Sequence, residues 1–125
     1  VKKDSEKLLT GKELVDAVVR FARDKLAEKI TVIDIRKLHG STDWFIICQG
    51  DNTVHNSAIA DGIVDGTREL GTRPWREEGN EEGRWVLIDY SDVVVHIMLP
   101  EVRSYYNLEE LWSKGIRTDI TEKSA

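Results

Sequence analysis

One fifteen-residue run, Trp85-Val-Leu-Ile-Asp-Tyr-Ser-Asp-Val-Val-Val-His-Ile-Met-Leu99, limits what this chain can fold into more than any other stretch. It is the longest apolar region, yet it carries two aspartates, a tryptophan and a histidine. Its middle, Asp89 to Asp92, reads as a tight turn between two strands rich in valine and isoleucine. A two-residue turn at Tyr90 and Ser91 sets Asp89 opposite Asp92, Leu87 opposite Val94, and Trp85 opposite His96. Strand side chains alternate, so Val86, Ile88, Val93, Val95, Ile97 and Leu99 share one wholly apolar side, the expected core face. The other side holds Trp85, Leu87, Asp89, Asp92, Val94, His96 and Met98. A dry core holds such a mixture only if its polar groups are paired, so this side reads as the working face. A three-residue turn would exchange the two faces.

The rest of the chain must supply what covers the core face. At 125 residues it is long enough for one domain with a real core. Hydrophobic residues make up 40% and charged residues 33%, which describes a globular chain with a well-solvated surface. The net charge of −5 repels phosphate backbones and argues against a general nucleic-acid binder, and no direct sequence-specific nucleic-acid contact is expected. A basic protein partner fits that charge better. The single cysteine, Cys48, excludes an internal disulfide and reads as a small buried thiol in a strand. No signal peptide and no uncharged span long enough to cross a bilayer is present, so a cytoplasmic or organelle-interior protein with no membrane contact is expected.

Taken in order, residues 1–7 are charged and expected to be a flexible tail. Thr10-Gly-Lys-Glu13 has the spacing of a capping box, with Thr10 as cap and Glu13 reaching back. Leu14, Ala17, Val18, Phe21, Ala22 and Leu26 then recur at helical spacing as one apolar stripe. Ile30 to Arg36 is β-branched and reads as a strand, as does Trp44 to Gln49. Gly50-Asp-Asn-Thr53 breaks that strand and offers an N-cap to a second helix over roughly residues 53–70, ending at Gly71, with Gly62 and Gly66 inside it marking close packing. Arg73 to Glu77 reads as a short strand, and Glu77-Glu-Gly-Asn-Glu-Glu-Gly83, with no apolar residue, as a mobile loop. After the hairpin, Pro100 ends the strand and allows a helical turn to Tyr106, and Asn107-Leu-Glu-Glu110 starts a last short helix. Residues 116–125 read as a flexible tail, which leaves 8–115 as the domain. Strands that are not regularly separated by helices predict an α+β fold, a mixed sheet of about five strands flanked by helices.

The acidic residues are the first candidates for chemistry. Gly40-Ser41 ahead of a strand resembles the start of the nucleotidyltransferase pattern, but no pair of carboxylates one residue apart follows it. Asp43 is followed by Trp44 and Phe45. Two-metal chemistry needs carboxylates that bridge ions about 3.5 to 4 Å apart. Asp34, between two isoleucines, reads most simply as a solvent-facing residue or the partner of an arginine. His39, His55 and His96 lack metal-ligand spacing, and Ser41, Ser57 and Ser91 lack a nucleophile elbow. Neither catalytic residues nor a metal nor a cofactor is expected. What remains is aromatic material among acids: Trp85, Tyr90, Tyr105, Tyr106 and Trp112 amid Asp89, Asp92, Glu101, Glu109 and Glu110. Tryptophan and tyrosine anchor interfaces because they bury much area and keep a polar handle.

These stretches are similar to the ribosomal silencing factor, or Iojap-like, family. The resemblance is carried by Asp34-Ile-Arg36, by Thr42-Asp-Trp-Phe-Ile-Ile47, by Trp85 to His96, and by Leu99-Pro-Glu-Val-Arg-Ser-Tyr-Tyr-Asn-Leu-Glu-Glu-Leu-Trp112, in family order from about Leu8 to Gly115. Two departures are Ser91, where the family often has glycine, and the glycines at 62 and 66 in a helix usually richer in alanine or charge. The resemblance implies a nucleotidyltransferase-like fold without the catalytic carboxylates. It implies binding to protein fourteen of the large ribosomal subunit, steric exclusion of the small subunit under nutrient limitation, and a role in large-subunit maturation; it also allows a homodimer. The expected docking set is Trp85, Asp89, Tyr90, Asp92 and His96, extended by Glu101, Tyr106 and Trp112. Two rivals remain open: a nucleotidyltransferase using Asp34, Gly40, Ser41 and Asp43, and a homodimeric assembly module that buries the hairpin face against its own copy.

Overall fold

In the computed structural model, residues 8–121 are described. The elements are α1 (Gly11–Asp24), β1 (Glu28–Asp34), a single 3-10 turn (Arg36–Leu38), β2 (Trp44–Gln49), α2 (Thr53–Glu69), β3 (Arg76–Glu78), β4 (Trp85–Asp89), β5 (Val93–Met98), α3 (Pro100–Tyr106), α4 (Leu108–Leu111) and β6 (Ile116–Asp119). The strands form one mixed sheet in the order β3-β4-β5-β2-β1-β6. Only β2 and β5 run parallel; every other neighbouring pair is antiparallel. The expected α+β architecture is therefore present, with six strands rather than about five. The extra strand is β6, which pairs with β1 where a flexible tail was expected. Of the two expected tails, residues 1–7 and 122–125 lie outside the described residues.

The hairpin register differs from the expectation by two residues. Trp85 pairs with Met98, Leu87 with His96, and Asp89 with Val94, so Trp85 is not directly opposite His96. The turn is Ser91-Asp92, closed by the Tyr90 amide donating to the Val93 carbonyl, and Ser91 takes a positive φ of 82°. A two-residue slip preserves the alternation, so each side chain keeps its face. On one side Val86, Ile88, Val93, Val95 and Ile97 are fully buried beneath α1 and α2.

Helix α1 is built differently from its sequence signature. The Thr10 side chain makes no capping bond. The first amide, Gly11 N–H, is accepted instead by the Asp92 carboxylate at 2.8 Å, so the hairpin turn caps the helix. The two helices end alike. The Ala27 amide donates to Ala22 and the Leu26 amide to Arg23; the Thr72 amide donates to Thr67 and the Gly71 amide to Arg68. The left-handed position is glycine in α2 and leucine in α1, which leaves Leu26 exposed rather than in the apolar stripe. Gly66 marks close packing as expected, since a Cβ there would lie 2.6 Å from the Phe21 ring. The loop 77–83, expected to be mobile, is tied to α2: Asn56 donates to the Gly83 carbonyl and Ser57 to the Asn80 carbonyl.

The opposite face of the sheet carries a second, smaller core. Ile33, Ile35, Ile47, Met98, Leu99 and Val102 are buried there, with Phe45, Trp85, Leu108 and Trp112 packed at its margin. Leu99 thus belongs to this side rather than to the helix-covered one. Pro100 opens α3, where its missing N–H costs nothing. The pair α3–α4 covers only part of this face.

Candidate docking face

The half-covered face carries a chain of rings in contact. Tyr105 meets Tyr106 at 4.9 Å between centroids, Tyr106 meets Trp85 at 4.9 Å, and Trp85 meets His96 at 5.9 Å. His96 lies 5.5 Å from Phe45, and Phe45 lies 5.0 Å from Trp112. Strand alternation sets Trp85 on β4, His96 on β5 and Phe45 on β2 toward the same side, and α3–α4 bring Tyr106 and Trp112 to its rim. Tyr105 is 80% exposed, Leu111 69% and Tyr106 52%, whereas His96 is buried. The result is a contiguous aromatic surface with a buried centre and an open edge.

His96 fixes the chemistry of that centre. The Trp85 indole N–H donates to His96 Nδ1 at 3.0 Å, so in the neutral ring Nε2 carries the proton. Its cross-strand neighbours are Leu87 and Ile47, and burial pushes its pKa down from 6.5 to about 4. The ring is neutral at physiological pH, a tilted flat group that offers one N–H donor.

Of the expected docking residues, the structure brings Trp85, His96, Tyr106 and Trp112 together. Glu101 is exposed on the first turn of α3. Asp89 is on the same face but engaged within the chain: it accepts the Ser91 amide at 2.7 Å and meets Arg76 at 3.4 Å. Tyr90 and Asp92 are placed elsewhere. Tyr90 shares the parity of Val86 and Ile88, and its ring is buried on the helix side, where its hydroxyl lies 2.7 Å from Thr67 Oγ1. Burial raises that phenol to about 12, so it stays protonated. Asp92 faces α1 as the cap described above. Neither side chain forms part of the aromatic surface.

Phe45 and Tyr105 belong to this surface and were not in the expected set. Phe45 was accessible to reasoning, since it alternates with the buried Trp44 and Ile46 on β2. A further exposed tryptophan, Trp75, 77% exposed, sits at the far end of β4, its amide donating to the Asp89 carbonyl. As for the residues of the enzyme rival, the Asp34 carboxylate is taken up by Arg36, through Nη2 at 2.7 Å and Nε at 3.0 Å. That bond holds Asp34 below its ordinary pKa, and the same guanidinium stacks on Trp44 at 4.6 Å. Asp34 is thus the partner of an arginine. Among the described residues, no helix is long and apolar enough to cross a membrane.

A sequence model of the family described as ribosomal silencing factor during starvation matches residues 9–125. The chain is 38% identical over 112 residues to a ribosomal silencing factor of Halalkalibacterium halodurans, covering 90% of this chain and 96% of the relative. It is 34% identical over 102 residues to the mouse protein named mitochondrial assembly of ribosomal large subunit protein 1, covering 79% of this chain and 45% of that longer protein. A crystal structure of a protein from Chromobacterium violaceum superposes with a TM-score of 0.81 at 31% identity, covering 93% of this chain and 97% of the other. The fold, the mixed sheet and nearly the whole length agree with that family: this chain belongs to the ribosomal silencing factor family.

Proposed function

We propose that the chain acts in the cytoplasm by docking its aromatic face on the large ribosomal subunit, through protein fourteen, where it sterically blocks small-subunit joining and lowers translation when nutrients are scarce. The observation that carries this reading is the contiguous run of rings from Tyr105 to Trp112 on a sheet face that α3–α4 cover only in part. Large rings with an open edge are the usual anchors of an interface. The net charge of −5 and the exposed Glu101 at the rim suit a basic ribosomal surface, where opposite potentials speed encounter. The name of the mouse relative, an assembly protein of the mitochondrial large subunit, supports extending the role to large-subunit maturation.

Co-sedimentation with purified large subunits tests the reading. Trp85→Ala removes the ring that joins Tyr106 to His96 and should cost about 2 kcal/mol of binding, roughly thirtyfold in affinity. Adding small subunits should then restore joining that the parent protein blocks. If Trp85→Ala pellets with large subunits as the parent does, the docking face is misassigned. The same apolar surface would also suit a second copy of the chain. Light scattering over a range of concentrations, with and without large subunits, separates the two: a dimer that persists on the subunit through these rings would overturn the docking reading.

A further inference from the structure

Arg103 lies on α3 between Val102 and the exposed Tyr105 and Tyr106, and its side chain is only 11% exposed. Its guanidinium works at several places at once. Nε donates to Glu109 Oε2 on α4 at 2.7 Å, and Nη2 lies 2.7 Å from that carboxylate. Nη1 donates to the Lys29 carbonyl at 2.7 Å and to Gln49 Oε1 at 3.2 Å, while Nη2 donates to Thr31 Oγ1 at 3.1 Å. The Thr31 hydroxyl in turn donates to Asp119 on β6 at 2.8 Å. One planar group therefore joins α3 and α4 to β1 and β2.

An apolar contact would hold these short helices on the sheet just as firmly, but it would tolerate rotation and sliding. A planar fork with three acceptor directions accepts one arrangement. That arrangement decides where the rings stand, because α3 carries Tyr105 and Tyr106 and the end of α4 carries Leu111 and Trp112. We propose that Arg103 is a positioning residue for the docking face: it sets the placement of α3–α4 so that Tyr106 meets Trp85 and Trp112 meets Phe45. The inference rests on the docking reading above for its functional consequence.

The test uses the full chain labelled with nitrogen-15, whose four tryptophans give separate indole N–H signals. Trp85 and Trp112 touch the α3–α4 unit or its partners; Trp44, under Arg36, and Trp75, at the far end of β4, report on the rest of the fold. Arg103→Met should move the Trp85 and Trp112 signals, leave those of Trp44 and Trp75 in place, and lower affinity for large subunits at least tenfold. Arg103→Lys, which keeps the charge without the fork, should fall between Met and parent on both measurements. If Arg103→Met does not fold, Glu109→Gln, which keeps an acceptor for Arg103 but weakens the bond, should give a smaller version of the same selective shift. A folded variant in which all four indole signals stay put, or all four move together, overturns the assignment. A Trp85→Ala protein that binds like the parent overturns the docking reading instead, which the indole pattern does not measure.

Discussion

On the helix-covered side of the sheet, Val86, Ile88, Val95 and Ile97 meet α1 and α2, and the only polar group buried from the hairpin itself, the Tyr90 hydroxyl, is paired with Thr67. On the opposite side, a small apolar core of Ile33, Ile47 and Met98 passes outward into rings that stay partly in water. The first face is finished by the chain itself. The second is finished only over its centre, where Val102 and Leu108 reach down from α3 and α4. The difference shows how one sheet serves two purposes. Aliphatic β-branched residues supply dry, close-packed area, while rings supply area that is stable half-exposed and can be buried again by a partner.

The largest effect is expected on the helix-covered face. Ile97 is completely buried there, and Ile97→Ala should destabilise the fold by about 4 kcal/mol, the transfer loss plus a cavity that the neighbouring helices cannot close. Leu87, half-buried on the other face of the same hairpin, should lose only about 1 kcal/mol on truncation. Urea unfolding of the two variants measures both. Equal losses would mean that the second face is as dry as the first, and the contrast drawn between them would collapse.

The next effect in size separates the faces by pH. His96 is the buried titrating group of the open face, and burial lowers its pKa to about 4. The unfolded chain takes up a proton near the ordinary 6.5, the folded chain only near 4. As pH falls between those values, protonation favours the unfolded state, and stability drops by about 3 kcal/mol before levelling off below pH 4. Above pH 6.5 the same ring contributes no pH dependence. His96→Gln, which keeps an acceptor for the Trp85 N–H, should flatten the stability profile between pH 6.5 and 4. An unchanged slope in that variant would show that the ring is wet.

How much of this was legible in the chain depends on whether the signal was periodic or long-range. Period-two alternation placed Val86, Ile88, Val93, Val95 and Ile97 on the core face, and it survived a register error because the slip was by two residues. The same alternation assigns Tyr90 to the core. Reading it as an interface residue put a general preference of tyrosine above the parity of its own strand, and the Thr67 hydroxyl that makes its burial tolerable lies on a different element. β6 had no such signal. Ile116-Arg-Thr-Asp119 is an exposed edge strand, held by pairing with β1, and edge pairing leaves little mark on composition. The aromatic face was legible in part: Trp85, Tyr106 and Trp112 stood out by type, whereas Phe45 needed the parity of β2 to be followed through. Arg103 was not legible, because its acceptors come from residues 29, 31, 49 and 109 and no local pattern joins them.

The smallest effect concerns Asp92, and it bears most directly on where one face ends and the other begins. A turn aspartate beside a docking surface invites a role in binding, but its carboxylate accepts the Gly11 amide across 81 residues of sequence, and its carbonyl accepts the amides of Asp43 and Trp44. The side chain is thus an N-terminal cap supplied from a distance, placed where α1 has an unmet donor and the positive end of its dipole. Asp92→Ala should destabilise the protein by about 1 kcal/mol, as loss of a capping group does, and leave affinity for large subunits within twofold of the parent. Asp92→Asn, which keeps the acceptor and drops the charge, should recover most of the stability. Thermal unfolding and co-sedimentation on the same samples decide the matter. A protein that melts like the parent but binds tenfold more weakly would move Asp92 back to the docking face and place the hairpin turn inside the interface, whereas lost stability with intact binding draws the boundary between Asp89 and Asp92.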